Sequence, residues 1–233
     1  MISKILKEID NFRDPDRVRV LSNFFKTDKG QYGEGDIFLG LTVPISRKIA
    51  LKYKDISISD ILFLLKNKIH EVRLVGLLIL VYQYKHIESK QKEDNINCYL
   101  KNTKYVNNWD LVDQSAYNLL GDYLVHNKRI NILMKLVNSK SLWEQRIAIV
   151  STYAFIKKGN IKWTMKIAKK FLNNEHDLIH KATGWMLREA GKRNLEELLK
   201  FLDKNLSKIP RTMLRYAIEK FPENLRQKYL KRY

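Results

Sequence analysis

Trp109 and Asp113 stand four residues apart in the segment YVNNWDLVDQSAYNLLGDYL, which runs from Tyr105 to Leu124. On a helix that spacing places both on one face. An indole beside a carboxylate suits a cationic group, because the π face attracts positive charge and the carboxylate adds a full negative charge. The same pair fits a structural role equally, with Trp109 in the core and Asp113 capping a helix or pairing with Arg146. The residues by themselves leave both readings open.

Other combinations carry less chemistry. His176 and His180 are four apart, but no third ligand with motif spacing accompanies them and Glu175 precedes the first histidine, so no metal site is expected. The single Cys98 leaves no intramolecular disulfide and no zinc site built on two or more thiolates. Gly30, Gly33 and Gly35 lack the Gly-Lys-Ser/Thr ending of a phosphate loop, and no apolar strand leads into them, so they read as a flexible surface loop. Serine- or cysteine-based triads have no motif support, and no cofactor is expected.

Charge narrows the partner. Against 25 acidic residues stand 44 lysines and arginines, a net +19. Residues 1–116 hold 19 basic and 15 acidic side chains, a net +4; residues 117–233 hold 25 and 10, a net +15. An excess of this size repels itself within a compact fold, and a polyanion relieves it. Nucleic acid is the first candidate; an anionic membrane surface or a merely soluble basic protein are the alternatives. The start, MISKILKEIDNF, lacks the apolar core and cleavage site of a secretory signal. The longest apolar run, Leu74 to Tyr82, is too short to span a bilayer. A soluble, cytoplasmic protein is expected.

The elements that must hold these residues are helices. Apolar positions recur at three- and four-residue steps, and prolines (4) and glycines (9) are few. Ile5, Ile9 and Phe12 mark a first helix; Val18, Leu21 and Phe25 mark a second; 26–40 breaks the pattern. Helices are then predicted over 44–54, 57–67, 69–85, 88–101, 109–126, 128–138, 141–158, 161–173, 175–191, 194–204, 209–221 and 223–231. Pro44 suits a first helical position, Ser141 with Glu144 has capping-box spacing, and Pro222 opens the last helix. Tyr82, Tyr84 and Phe155 fall at core spacing. Several segments look alike: HEVRLVG from His70, WEQRIA from Trp143, HKATGW from His180 and PRTMLRYA from Pro210. Each sets a cation near the start of an apolar helix and a small residue where a neighbour can approach. Steps between Gly76, Ala116, Ala148, Ala182 and Ala217 are 40, 32, 34 and 35 residues. A drifting period near one helix pair predicts an all-α, curved α-solenoid of HEAT-like repeats over 1–233, a single domain; an irregular α bundle is the alternative.

Four segments together resemble the DNA alkylation repair family: FFKTDKGQYGEGDIFLGLTVPISRKIA (24–50), NNWDLVDQSAYNLLGDYL (107–124), WEQRIAIVSTYAFIKKG (143–159) and HKATGWMLREAGKRN (180–194). They cover most of the chain in order. The resemblance implies HEAT-like helical repeats with a basic concave DNA-binding face, and hydrolysis of the N-glycosidic bond of N3- and N7-alkylated purines in double-stranded DNA. By the same resemblance Asp113 is the catalytic carboxylate, Trp109 and Trp185 are the aromatic walls around the damaged nucleotide, and Arg146 contacts the DNA backbone beside the lesion. An alkylated purine is already cationic and leaves without protonation. Positive charge then builds on the sugar, where a carboxylate is worth several kcal/mol, by analogy with about 3–4 kcal/mol for one oxyanion-hole donor. Active members also supply an aromatic residue from a helix near the N-terminus; here the corresponding stretch is the glycine-rich KTDKGQYGEGD, a departure from that pattern, in which Tyr32 is the only aromatic between Phe25 and Phe38. Lys157, Lys158, Arg188, Lys192, Arg193, Arg211 and Arg215 are expected to meet phosphates, the alternative being solvated helix faces. A monomer is expected. The second functional reading is a non-catalytic protein for branched or distorted DNA, and the third is a HEAT-like scaffold for an acidic protein.

Overall fold

The computed structural model describes residues 1–127 and 129–232, without the side chains of 89, 90 and 232. As expected, the chain is all-helical. Among the described residues no strand forms, and one isolated parallel bridge joins Ile37 to Ile69. The chain divides into two compact units, Met1–Ser115 and Ala116–Tyr233. Since Ala116 is uncharged, the second unit carries the net +15 counted above.

The first unit holds α1 (Ile2–Asn11), α2 (Pro15–Phe24), α3 (Val43–Lys52), α4 (Ile58–Leu65), α5 (His70–His86), α6 (Ser89–Lys101) and α7 (Trp109–Ser115). Short polar side chains set several starts. Asp14, Thr42 and Ser57 each accept the backbone N–H three residues on, an amide without a partner inside its helix. Pro44 lies one position later than expected, behind Val43, still in the first turn where its missing N–H costs nothing. Helix α5 is central: it packs on α1, α3, α4, α6 and α7 and is buried nearly all round. Such a helix shows little one-sidedness in sequence. Its Leu77, Ile79 and Leu80 meet a core that includes Ile5, Ile9, Ile49, Ile61 and Leu64. Phe12, expected to mark the buried face of the first helix, lies outside the core, 46% exposed just past the end of α1.

The stretch 26–40 is a loop as expected, but its end, Phe38–Gly40, is buried, where both oxygens of the buried Glu71 carboxylate hold it. Oε1 accepts from the backbone N–H of Leu39, Gly40 and Leu41 at 3.0, 2.8 and 3.2 Å, and Oε2 from Leu39 at 3.0 Å. Ile37 donates its N–H to the Lys68 carbonyl, and His70 donates to Ile37. Gly40 has φ +95°, and a Cβ there would stand 2.3 Å from the Asp14 carbonyl oxygen, so no larger residue fits. Only the tip, around Gly30 and Gly35, is open.

The second unit starts with a π turn, Tyr117–Gly121, in which Gly121 donates to the Ala116 carbonyl five residues back. It continues with α8 (Asp122–His126), α9 (Ile130–Val137), α10 (Leu142–Lys157), α11 (Lys162–Lys170), α12 (Asp177–Gly191), α13 (Leu195–Asn205), α14 (Arg211–Ala217) and α15 (Glu223–Arg232). The Lys128 start predicted for α9 lies outside the described residues. Half of the expected capping box forms at α10: Ser141 Oγ accepts from the Glu144 N–H, while the Ser141 N–H goes to Ser139 Oγ. Pro222 precedes α15, its carbonyl accepting from Arg226 as expected of a helix start.

The π turn packs on α10, α10 on α12, and α12 on α14, with α9, α11 and α13 flanking. Ala148, Ala182 and Ala217 are all buried in these helices. Gly184 marks a close crossing of α12 and α14, since a Cβ there would lie 2.5 Å from the Met213 carbonyl oxygen and 2.5 Å from Tyr216 Cβ. Gly184→Ala should therefore cost about 1–3 kcal/mol through overpacking. The expected result in urea is a lower unfolding midpoint with an unchanged slope, and an unshifted midpoint would contradict the crossing.

Candidate nucleic-acid interface

The Trp109–Asp113 pair rides on a helix whose first turn is fixed by buried polar groups. Asn108 is fully buried and accepts the Trp109 N–H on Oδ1 at 2.8 Å, and its carbonyl receives the Val112 N–H. The Asn108 amide donates to Asp36 Oδ2 at 3.0 Å. That oxygen lies 3.1 Å from His70 Nδ1, and the other ring nitrogen, Nε2, lies 2.8 Å from Asp110 Oδ2. Asp110 also accepts the Leu111 N–H at 2.7 Å. Arg73 donates to Asp36 Oδ1 at 2.5 Å and to the carbonyls of Asn67 and Lys68.

Electrostatics follow from this packing. Burial of the His70 ring disfavours its charge, but the carboxylate of Asp110, and then that of Asp36, outweigh burial and push its pKa up to about 9. Burial raises Asp36 as well; hydrogen bonds from His70 and Asn108 and the charge of Arg73 outweigh it and hold the carboxyl below its ordinary range. One turn along α7, burial and the charge of Asp113 keep the Tyr99 phenol neutral against the hydrogen bond it shares with Ser115.

An aromatic column stands on this base. Phe38 stacks on His70 with centroids 4.6 Å apart, Phe25 stacks on Phe38 at 4.9 Å, and Phe25 stacks on Trp109 at 5.0 Å. Phe24, 60% exposed, closes the column edge-on against Trp109 at 5.6 Å. Trp109 and Asp113 are both half-buried, each presenting part of its side chain to solvent. Tyr32, the expected N-terminal aromatic, donates its hydroxyl to the Phe24 carbonyl at 3.4 Å. It supports the chain beside Phe24, and Phe24 is the ring that meets Trp109.

In the second unit the half-buried rings Tyr117, Tyr153 and Trp185 form a row. Tyr117 and Tyr153 meet edge-on at 5.3 Å, and Tyr153 and Trp185 lie 6.2 Å apart. The Lys157 ammonium stands over Tyr117 at 5.0 Å and Tyr153 at 5.4 Å. Arg146, expected beside a DNA backbone, is 5% exposed, and its guanidinium donates to the Leu178 carbonyl at 2.6 Å. That contact gives it an internal role, holding the start of α12. Arg73 holds backbone carbonyls in the same way in the first unit.

The remaining expected cations separate by partner. Arg188 pairs with Glu189 and Glu219, and Lys192 pairs with Glu189. Arg211 donates to the Leu230 carbonyl at 3.1 Å. Arg215 lines an open cleft of about 440 Å³ with Lys181 and Arg226, opposite Asp177 and Glu219. Lys157, Lys158 and Arg193 are exposed. Sequence reasoning missed Phe24, Tyr117 and Tyr153, and it took His70 and Arg73 as repeat markers. The Phe24-Phe25 doublet was the available signal for the first.

The family model described as "DNA alkylation repair enzyme" matches residues 5–221, and the chain belongs to that family. Comparison with curated proteins gave no match. A solved structure, described as a predicted DNA alkylation repair enzyme from Enterococcus faecalis, shares the fold with a TM-score of 0.70 at 14% identity, covering 91% of this chain and 97% of that one. Among the described residues no helix is long and apolar enough to cross a membrane.

The His70 pair makes stability depend on pH in a defined direction. Its folded pKa of about 9 lies above the ordinary value of 6.5. The stabilisation is therefore complete below pH 6.5 and drains away as pH rises through 9. Melting temperature should fall across that window in the wild type and stay nearly flat in His70→Gln. The variant should be destabilised at pH 7 by about 3–5 kcal/mol, as when one partner leaves a buried ion pair. Parallel pH curves for the two proteins would contradict this assignment.

Proposed function

We propose that this protein is a DNA glycosylase that releases N3- and N7-alkylated purines from duplex DNA, with Asp113 as its catalytic carboxylate. The observation that carries the reading is the shared half-exposed face of Trp109 and Asp113 on α7, with the exposed ring of Phe24 set edge-on to the indole. A cationic base is attracted to such rings. A carboxylate one helical turn away suits the positive charge that develops on the sugar as the bond breaks.

The reaction balances without a cofactor. The C1′–N9 bond breaks, its electron pair neutralises the alkylated purine, and the sugar becomes an oxocarbenium-like cation. Asp113 stabilises that cation and orients the water that attacks C1′. The water gives up a proton, and an abasic site remains. Phe24 takes the place expected of Tyr32. The row Tyr117, Tyr153 and Trp185, with Lys157, Lys158 and Arg193 nearby in sequence or exposed on the same unit, supplies stacking surface and charge for nucleic acid.

Release of 7-methylguanine and 3-methyladenine from methylated duplex tests the reading. Asp113→Asn should lower the rate by about 100- to 1,000-fold while leaving duplex affinity within about twofold, because the charge acts in the transition state. Duplex affinity should weaken steeply as salt is raised. A wild-type protein that releases no base from intact alkylated duplex would remove the enzyme reading.

A further inference from the structure

We infer that His70, held as an imidazolium between Asp36 and Asp110, is a positioning residue that sets Trp109 and Asp113 toward their ligand. The inference rests on the glycosylase reading for its catalytic consequence, and on this structure alone for its geometry. Ionised carboxylates only accept hydrogen bonds. His70 faces one at each ring nitrogen, at 3.1 and 2.8 Å, so both nitrogens must carry a proton for both contacts to attract. With one proton gone, a nitrogen lone pair would face a carboxylate oxygen inside a site that is nearly closed to water.

Both routes from His70 end at Trp109. Through the backbone, Asp110 is the second residue of α7, and Asn108, which caps it, is tied to Asp36. Through the side chains, the His70 ring stacks on Phe38 and lies 5.1 Å from Phe25, whose ring stacks on Trp109. The charged groups facing the imidazole are Asp36 from the loop and Asp110 from α7; Arg73, from α5 itself, backs Asp36, and the Glu71 carboxylate beside it is turned to the Leu39–Leu41 amides. Removing the charge therefore releases the helix start and the base of the aromatic column together. A displacement on the order of 1 Å at a reacting group costs about 100-fold in rate.

The test uses the intact protein and two readouts. The first is nuclear magnetic resonance of ¹⁵N-labelled protein between pH 6 and 10, following the His70 ring nitrogens and the four tryptophan indole N–H signals; Trp109→Phe identifies the relevant indole. Both ring nitrogens should be protonated at pH 7. As they titrate on raising the pH, the Trp109 indole should shift in the same step while those of Trp143, Trp163 and Trp185 hold. Should His70→Gln fail to fold, this wild-type titration decides alone. The second readout is base release by His70→Gln, expected to fall about 10- to 100-fold with duplex affinity unchanged within about twofold. A Trp109 signal indifferent to His70 titration, a singly protonated ring at pH 7, or a variant rate reduced only by its unfolded fraction would each overturn the positioning role. Absence of base release by the wild type would instead fail the glycosylase reading, and the resonance experiment would still decide whether His70 positions Trp109.

Discussion

An imidazole and two carboxylates, almost wholly withdrawn from solvent, join three parts of the first unit: the stretch ending at Asp36, the start of α5 at His70, and the start of α7 at Asp110. Charges in such a place are costly to desolvate and are retained only when their partners are well placed. Here the partners are also tied to the start of α7, Asp110 directly and Asp36 through Asn108. Asp110 takes the Leu111 N–H, Asp36 takes the Asn108 amide, and Asn108 takes the Trp109 N–H. The position of the indole is thus tied to a set of charges rather than to apolar packing alone. That arrangement suits a side chain that must remain half-open to a ligand, since an open side chain has fewer apolar neighbours to fix it.

The second unit is ordered by different means. Its inner helices approach through small residues, with Gly121 against the Ser151 carbonyl and Gly184 against the Met213 carbonyl. Side chains reach backbone carbonyls around the start of α12, buried Arg146 at Leu178 and half-buried His180 at Asn174. Polar groups at the helix starts thereby find partners internally. The surface lysines, Lys157 and Lys158 among them, remain on the outside of the fold and carry much of the net charge.

Much of this was legible in the sequence, for physical reasons. The helices announced themselves through apolar periodicity and, at α10, through Ser141, whose cap depends on a residue three positions away. The shared face of Trp109 and Asp113 is likewise a local consequence of helix geometry. The partners of His70 are not local: Asp36 is 34 residues back and Asp110 is 40 ahead. No spacing rule joins them, so the segment HEVR read as a repeat marker. Arg146 was misplaced for the same reason, its acceptor at Leu178 being 32 residues away. Tyr32 was named as the only aromatic between Phe25 and Phe38, and Phe24, just outside that interval, is the ring that lies beside the indole.

That single glutamate also divides the glycine-rich stretch into two dynamic regimes. The amides of Leu39, Gly40 and Leu41 are released to solvent only by an opening that strands a carboxylate in the interior. Such openings are rare, and hydrogen exchange at these three sites reports the cooperative unfolding of the whole unit. A few residues away, the exposed tip is held only by hydrogen bonds within itself, such as the Gly30 N–H to Glu34 Oε2 at 2.7 Å, so it can open without disturbing the core. The boundary between the polar tip and the anchored apolar end is thus set by one side chain that lies outside the segment it governs.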